Sequence, residues 1–287
     1  ARTAGSAAAG NFNIAIGGRG AIADGLTVDL FLYGEMSHAL ADSRVFSAAE
    51  HKLVYDSWSE TPAAIHHYDL SVGDYTVSAT DIIVIPDQIG TADLSLTTSS
   101  AWPQTGASIN GLDVADFISA GSDHIYTNTG VSSSLSGVDV AYSFAMVVQS
   151  DAPTVDTHMF AFNNTTTGDE YISHYQRSSP NTWSNIRRDD SGNPSGTINL
   201  GPAPTSDPTI LVYVYQTETL TLYVNGVEVY QSESYDDPET VMTDLNRLTM
   251  GGWKSGTSAV FGPLDGKIGE VKIWNQALTS PQVKRLN

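Results

Sequence analysis

The sequence predicts a mostly β protein, and three observations carry that reading. Alternating or wholly apolar runs of strand length recur along the chain, separated by Gly, Pro, Asn, Asp and Ser clusters. Ser and Thr are abundant while helix-forming runs are scarce. In residues 219–230, two alternating arms flank Asn225-Gly226, the pair that suits a type I′ hairpin because both turn positions need φ > 0. Many strands joined by short turns argue for a sandwich or a barrel.

Taken in order, strands are predicted at residues 12–16 and 26–33, followed by a helix. Ser47-Ala-Ala-Glu50 reads as a capping box that opens it, and Leu53, Val54 and Trp58 give it an apolar stripe. Further strands are predicted at residues 82–85, 138–149, 158–163, 170–175 and 210–216. After the hairpin come a late strand at 271–274 and a short helix at 280–286. Thr279 or Ser280 caps that helix and Pro281 fills its first position. The C-terminal order, strand, Gly-Gly, loop, Asp-Gly, strand and capped helix, also occurs near the N-terminus around Gly17-Gly18 and Asp24-Gly25. A half-repeat follows as an expectation. Pro62 and His66-His67 would then separate an N-terminal segment, residues 1–66, from a main domain, residues 67–287. Two strands and a helix bury too little to stand alone, so the segment must lean on the main domain or on another chain.

Charge narrows the partners. The 287 residues hold 13 Lys and Arg against 32 Asp and Glu, a net charge of −19. Such a surface repels phosphates, which argues against nucleic acid and anionic membranes. Cysteine is absent, so disulfides, thiolate zinc sites and cysteine nucleophiles are excluded together. No run approaches the ~18 apolar residues of a membrane span, so no membrane insertion is expected. The first ten residues lack an apolar signal core.

Three C-terminal stretches carry a family resemblance. They are Leu222-Tyr-Val-Asn-Gly-Val227, Leu248-Thr-Met-Gly-Gly252, and the run from Leu264-Asp-Gly-Lys-Ile-Gly-Glu-Val-Lys-Ile-Trp274 to Val283. Together they resemble the laminin-G-like and pentraxin-like jelly rolls of the concanavalin A-like lectin/glucanase superfamily. Asp87-Gln-Ile-Gly90, the stretch from Asn110 to Phe117 and Gly121-Ser-Asp-His-Ile-Tyr126 fit the opening of such a domain. Over roughly residues 70–287 the resemblance implies a two-sheet antiparallel jelly-roll sandwich, with the strand–helix segment before it. A fold alone names no ligand.

The glucanases of that superfamily use carboxylates alternating along one strand, so that an acid and a nucleophile or base share the cleft. No Glu-x-Asp-x-Glu occurs here, Asp169 and Glu170 are adjacent, and Asp236-Asp237 precede a proline. A Gly-x-Ser-x-Gly nucleophile elbow is missing too. No catalytic residue is therefore assigned. His66 and His67 each offer a metal ligand, but strand neighbours face opposite ways, and a linker is the expected role. Calcium suits Asp and Asn oxygens, and the superfamily often holds it in loops; Asp87, Asp123, Asp169 and Asp265 are the candidate ligands. Asp265-Gly266 also reads as a turn, and Asp123 as a cap.

Sugar recognition needs aromatic faces framed by amides and charges. The stretch from Tyr171 to Arg187 interleaves Tyr175, Arg177, Trp183, Asn185 and Arg187, the candidate glycan contacts. The competing reading makes Tyr171 and Ile186 core and leaves the others decorating an outer face. Trp274 is expected in the core.

Three function classes compete. The first is a structural or adhesive module on a virion surface, such as a phage head-decoration or fibre protein. It would assemble with its own copies as a homo-oligomer and dock on a capsid, tail or other scaffold protein through residues 1–66. The alternative is an extracellular carbohydrate-binding protein that meets cell-surface glycans. A glycan-active enzyme comes last, because the carboxylate motif is missing.

Overall fold

The computed structural model describes residues 19–21, 27–29, 61–95, 102–138, 140–165, 171–188, 194–232, 241–242, 245–254 and 260–286. The chain divides into two compact units, Ala1–Trp58 and Ser59–Asn287. In the first, β1 (Arg19–Ala21) pairs antiparallel with β2 (Thr27–Asp29). The strand predicted at 12–16 and the helix opening at Ser47 lie outside the described residues.

The second unit is built almost entirely of strands. It begins with β3 (His66–Asp69), β4 (Thr76–Ser78), β5 (Asp81–Ile85), β6 (Leu94–Ser95), β7 (Gln104–Ile109), β8 (Leu112–Phe117) and β9 (Ile125–Thr127). Its middle holds β10 (Gly137–Val138), β11 (Tyr142–Ser150), β12 (Thr157–Asn163), β13 (Tyr171–Ser178), β14 (Asn181–Arg188) and β15 (Pro194–Leu200). Then come β16 (Thr209–Gln216), β17 (Thr219–Val224), β18 (Val227–Ser232), β19 (Val241–Met242) and β20 (Arg247–Met250). The last are β21 (Trp253–Lys254), β22 (Val260–Phe261) and β23 (Gly266–Trp274), followed by helix α1 (Ser280–Lys284).

Antiparallel pairing orders these strands into two sheets. One runs β15-β14-β13-β12-β20-β9-β6. The other runs β7-β8-β23-β11-β16-β17-β18, with β3 beside β8 along the same edge of β23. Strand β5 pairs with both β6 and β7, so the ladder folds over without a break. This is the antiparallel sandwich that the strand pattern and the resemblance implied.

Between the sheets, Phe144, Phe160, Phe162, Tyr213, Leu222, Leu248, Met250 and Val271 are buried together. Each such side chain contributes about 1.5–3 kcal/mol by leaving water. A smaller cluster lies behind the second sheet, where Val212, Val214, Tyr223 and Trp274 meet Leu278 and Val283 of the C-terminal helix region. Thr279 caps that helix in a reciprocal box with Gln282, with proline in the first turn. Asn225 (φ 49°) and Gly226 (φ 73°) form the turn joining β17 to β18, as their sequence predicted. The run predicted at 138–149 is divided, because β10 pairs with β19 whereas β11 pairs with β16 and β23.

The histidine pair departs from its expected linker role. His66 and His67 open β3 and face opposite ways. His66 is buried, donates from Nδ1 to Asp87 Oδ2 at 2.6 Å, and accepts the Ser132 N–H on Nε2. His67 turns outward to Glu270. A chain as acidic as this one can bury a histidine when a carboxylate 21 residues away reaches it, which local composition does not reveal.

Candidate functional site

Strand alternation divides the residues predicted to meet a sugar. Partners directly opposite in an antiparallel ladder share a face. On β13 and β14, Ile172, His174 and Gln176 with Trp183, Asn185 and Arg187 therefore point between the sheets. Trp183 is 2% exposed within the core, and Arg187 lies 4.6 Å over the Tyr215 ring. Asn185 donates its amide to His174 Nδ1 at 2.8 Å, and the His174 ring stacks 4.3 Å from Phe144. Burial pushes the His174 pKa down to about 3, so the imidazole is neutral. Trp183, Asn185 and Arg187 thus correct the sequence reading, since a ring or amide without an open face cannot stack on a pyranose. Trp183 joins the apolar core, and Asn185 and Arg187 are polar groups buried inside the sandwich.

The other face carries Tyr171, Ser173, Tyr175 and Arg177 of β13 opposite Arg188, Ile186, Ser184 and Thr182 of β14. Tyr171 and Ile186 accordingly lie on the outer side of this sheet, where Tyr171 and Tyr175 are nonetheless buried and Ile186 and Arg177 half-buried. Registration continues these rows across the sheet, through residues that are themselves buried apart from the half-buried Tyr126. Tyr171 meets Asn163 of β12, which meets Arg247 of β20. One strand step along, Ser173, Ala161, Thr249 and Tyr126 form a second row. Arg247 lies 5.1 Å over the Tyr126 ring and donates from Nε to Asn128.

The short hairpin β21–β22 adds aromatic groups to this face. Trp253 lies 4.4 Å from Tyr171 and 5.9 Å from His158, and Phe261 lies 5.0 Å from Trp253. His158 anchors the arrangement: its N–H donates to the Gly262 carbonyl, its Nδ1 meets Ser173 Oγ at 2.6 Å, and its ring stacks on Tyr175. A side chain at Gly262 would strike that ring, 2.6 Å from His158 Cδ2. Burial pushes the His158 pKa down to about 4, so this ring too is neutral at ordinary pH. Phe261 is 47% exposed, and Trp253 is half-buried. Trp253 Nε1 and the Thr249 hydroxyl find no hydrogen-bond partner among the described residues.

The composition of this sheet is as telling as its geometry. Strands β9, β12, β13, β14, β15 and β20 contain no Asp or Glu, yet hold Arg177, Arg187, Arg188 and Arg247. A glycosidase needs two carboxylates flanking the scissile bond, and none of these strands supplies one.

The calcium candidates are dispersed. Asp87 spends its oxygens on His66 Nδ1 and the N–H groups of His67, Ile89 and Ala92. Burial alone would raise its pKa, but these donors outweigh it and hold the carboxyl well below the usual range. Asp123 accepts the Ile118 N–H, as a loop cap does, and burial raises its pKa. Asp265 is half-buried in the turn before Gly266, and Asp169 lies outside the described residues.

A family model of the concanavalin A-like lectin/glucanases superfamily matches residues 119–284, more than half of the chain. The chain belongs to that superfamily. Domain 4 of AbnA, an extracellular arabinanase from Geobacillus stearothermophilus solved with arabinotriose, is similar at 19% identity and a TM-score of 0.54. That likeness covers 79% of this chain and 99% of the domain. NanB, a sialidase from Streptococcus pneumoniae, is similar at 20% identity and a TM-score of 0.49 over 58% of this chain, which spans 26% of the NanB chain. A Ruminococcus gnavus sialidase module solved with sialyllactose is similar at 12% identity and a TM-score of 0.43, over 51% and 82% of the two chains. No relative among curated proteins matches the chain. Among the described residues no helix is long and apolar enough to cross a membrane.

Proposed function

We propose that this chain is a non-catalytic carbohydrate-binding module that works outside the cell. The observation that carries the reading lies on the outer side of the acid-free sheet, where the exposed Phe261 and half-buried Trp253 present an aromatic edge backed by the buried rings of Tyr171 and Tyr175. Flat apolar rings edged by hydroxyl, amide and guanidinium groups suit pyranose or furanose rings, whose C–H faces stack and whose hydroxyls bond. Likeness to the AbnA domain, which was solved with arabinotriose, supports the same reading. These observations favour glycan binding over display on a particle.

For the N-terminal unit we keep the attachment role, with copies of this chain or a scaffold protein as its partner. A chain beginning at Ser59 should then remain folded and lose any self-association of the full chain. The glycan reading is tested by screening the full chain on a glycan array alongside a reducing-sugar release assay. Binding without release supports it; release that disappears in a Glu→Gln variant contradicts it.

A further inference from the structure

A second cluster lies on the opposite sheet, away from the aromatic face. His67 and Asp69 are two residues apart on β3 and so share its outer face. Across the ladder Asp69 faces Glu270 and His67 faces Lys272, both on β23. Four functional side chains thus meet over one strand pair. His67 Nε2 lies 2.8 Å from Glu270 Oε1, and Lys272 Nζ lies 2.6 Å from the same oxygen. Asp69 is held by Ser71, whose N–H and hydroxyl both donate to Oδ1. One nitrogen or carboxylate oxygen from each of His67, Asp69 and Glu270 falls within 4.8 Å of the other two. Among the described residues this is the one such grouping of three. All three are half-buried, and Glu270 and Ser71 also line a surface cleft of about 420 Å³, which leaves the cluster reachable from solvent.

We propose that His67, Asp69 and Glu270 form a binding site for a divalent first-row transition ion of the Zn²⁺ class. An imidazole nitrogen with two carboxylate oxygens suits a borderline ion better than Ca²⁺, which takes oxygen alone. Three protein ligands leave a fourth position for water. Lys272 already pairs with Glu270, neutralising one of the two carboxylates. A divalent ion would displace its ammonium group and neutralise both. The bound ion would bridge β3, the first strand of the sandwich, to β23, the last.

The test is titration of the full, chelator-treated chain with ZnCl₂ and, separately, CaCl₂, read by calorimetry and by the thermal midpoint. Zn²⁺ should bind at this site and raise the midpoint, while Ca²⁺ leaves it unchanged. His67→Ala should weaken Zn²⁺ binding by at least the ~10–100-fold that loss of a mere supporting residue costs. Lys272→Met removes the competing ammonium and should tighten it, a gain that a purely structural ion pair would not produce. The proposal is overturned if His67→Ala binds Zn²⁺ as the parent does, or if Lys272→Met binds it no better. Should His67→Ala fail to fold in the metal-free state, Lys272→Met decides alone.

Discussion

The two sheets of the sandwich share a core and differ in the charge their strands carry. The sheet from β15 to β9 is free of carboxylates in those strands, and its outer face carries arginine and aromatic side chains. The opposing sheet carries Asp69, Asp113, Asp116, Glu228 and Glu270, and its lysines are paired: Lys267 with Asp151, Lys272 with Glu270. In a chain of net charge −19 such a division does not follow from composition. Within its strands the first sheet offers a ligand no carboxylate, whereas the second offers several to a cation.

Predictions that sharpen this contrast begin with the interior of the arginine-bearing sheet. Trp183→Ala should destabilise the fold by about 3–5 kcal/mol, as large-to-small changes of buried aromatic residues do. Chemical denaturation measures it, and a loss below 1 kcal/mol would return Trp183 to the surface. On the other side, Asp87→Asn keeps one acceptor oxygen but turns an NH₂ toward two of the four donors that converge there, and leaving those two unsatisfied costs about 1–3 kcal/mol. The same denaturation series reads it.

Acid distinguishes the sheets next. The folded His174 pKa, near 3, lies below its unfolded value of 6.5. Between these values only the unfolded chain binds the proton, so stability falls as pH drops, at roughly 1.4 kcal/mol per pH unit. In His174→Gln the stability curve from pH 6 to pH 4 should be flatter by that slope; an unchanged curve would contradict the buried neutral ring. Smallest is the pair Lys267–Asp151, whose carboxylate is 42% exposed. Asp151→Asn should cost at most ~1 kcal/mol and less in high salt.

Much of the fold was legible in the residues. The Asn225-Gly226 turn, the capped helix after Thr279 and the strands containing Ile82, His158 and Ile210 all stand where local chemistry put them. Each rests on signals a few residues long: a positive-φ pair, a proline in a first turn, an apolar alternation. The candidate face was less legible. Alternation alone separates Tyr175 and Arg177 from Trp183, Asn185 and Arg187, but not which set looks outward. Only the packing of His174 on Phe144 and Tyr213 decides that. Trp253 and Phe261 gave no sign of belonging to the same site, since Tyr171 lies more than 80 residues before Trp253. The absence of acid from six strands was written in the sequence, yet it becomes a pattern only once β9, β12, β13, β14, β15 and β20 are known to be neighbours.

The glycan-binding role proposed for the acid-free face rests on the exposed Phe261 beside Trp253 in the aromatic hairpin. Its most direct test compares the parent with Phe261→Ala for affinity to the glycan that scores highest on an array, with thermal stability measured in parallel. Phe261 is 47% exposed, so its truncation should leave the thermal midpoint nearly unchanged. Affinity should fall by about tenfold or more, the ~1.4 kcal/mol or greater that a stacked aromatic contributes. Equal affinity in the variant, or no glycan bound by the parent, would contradict the account.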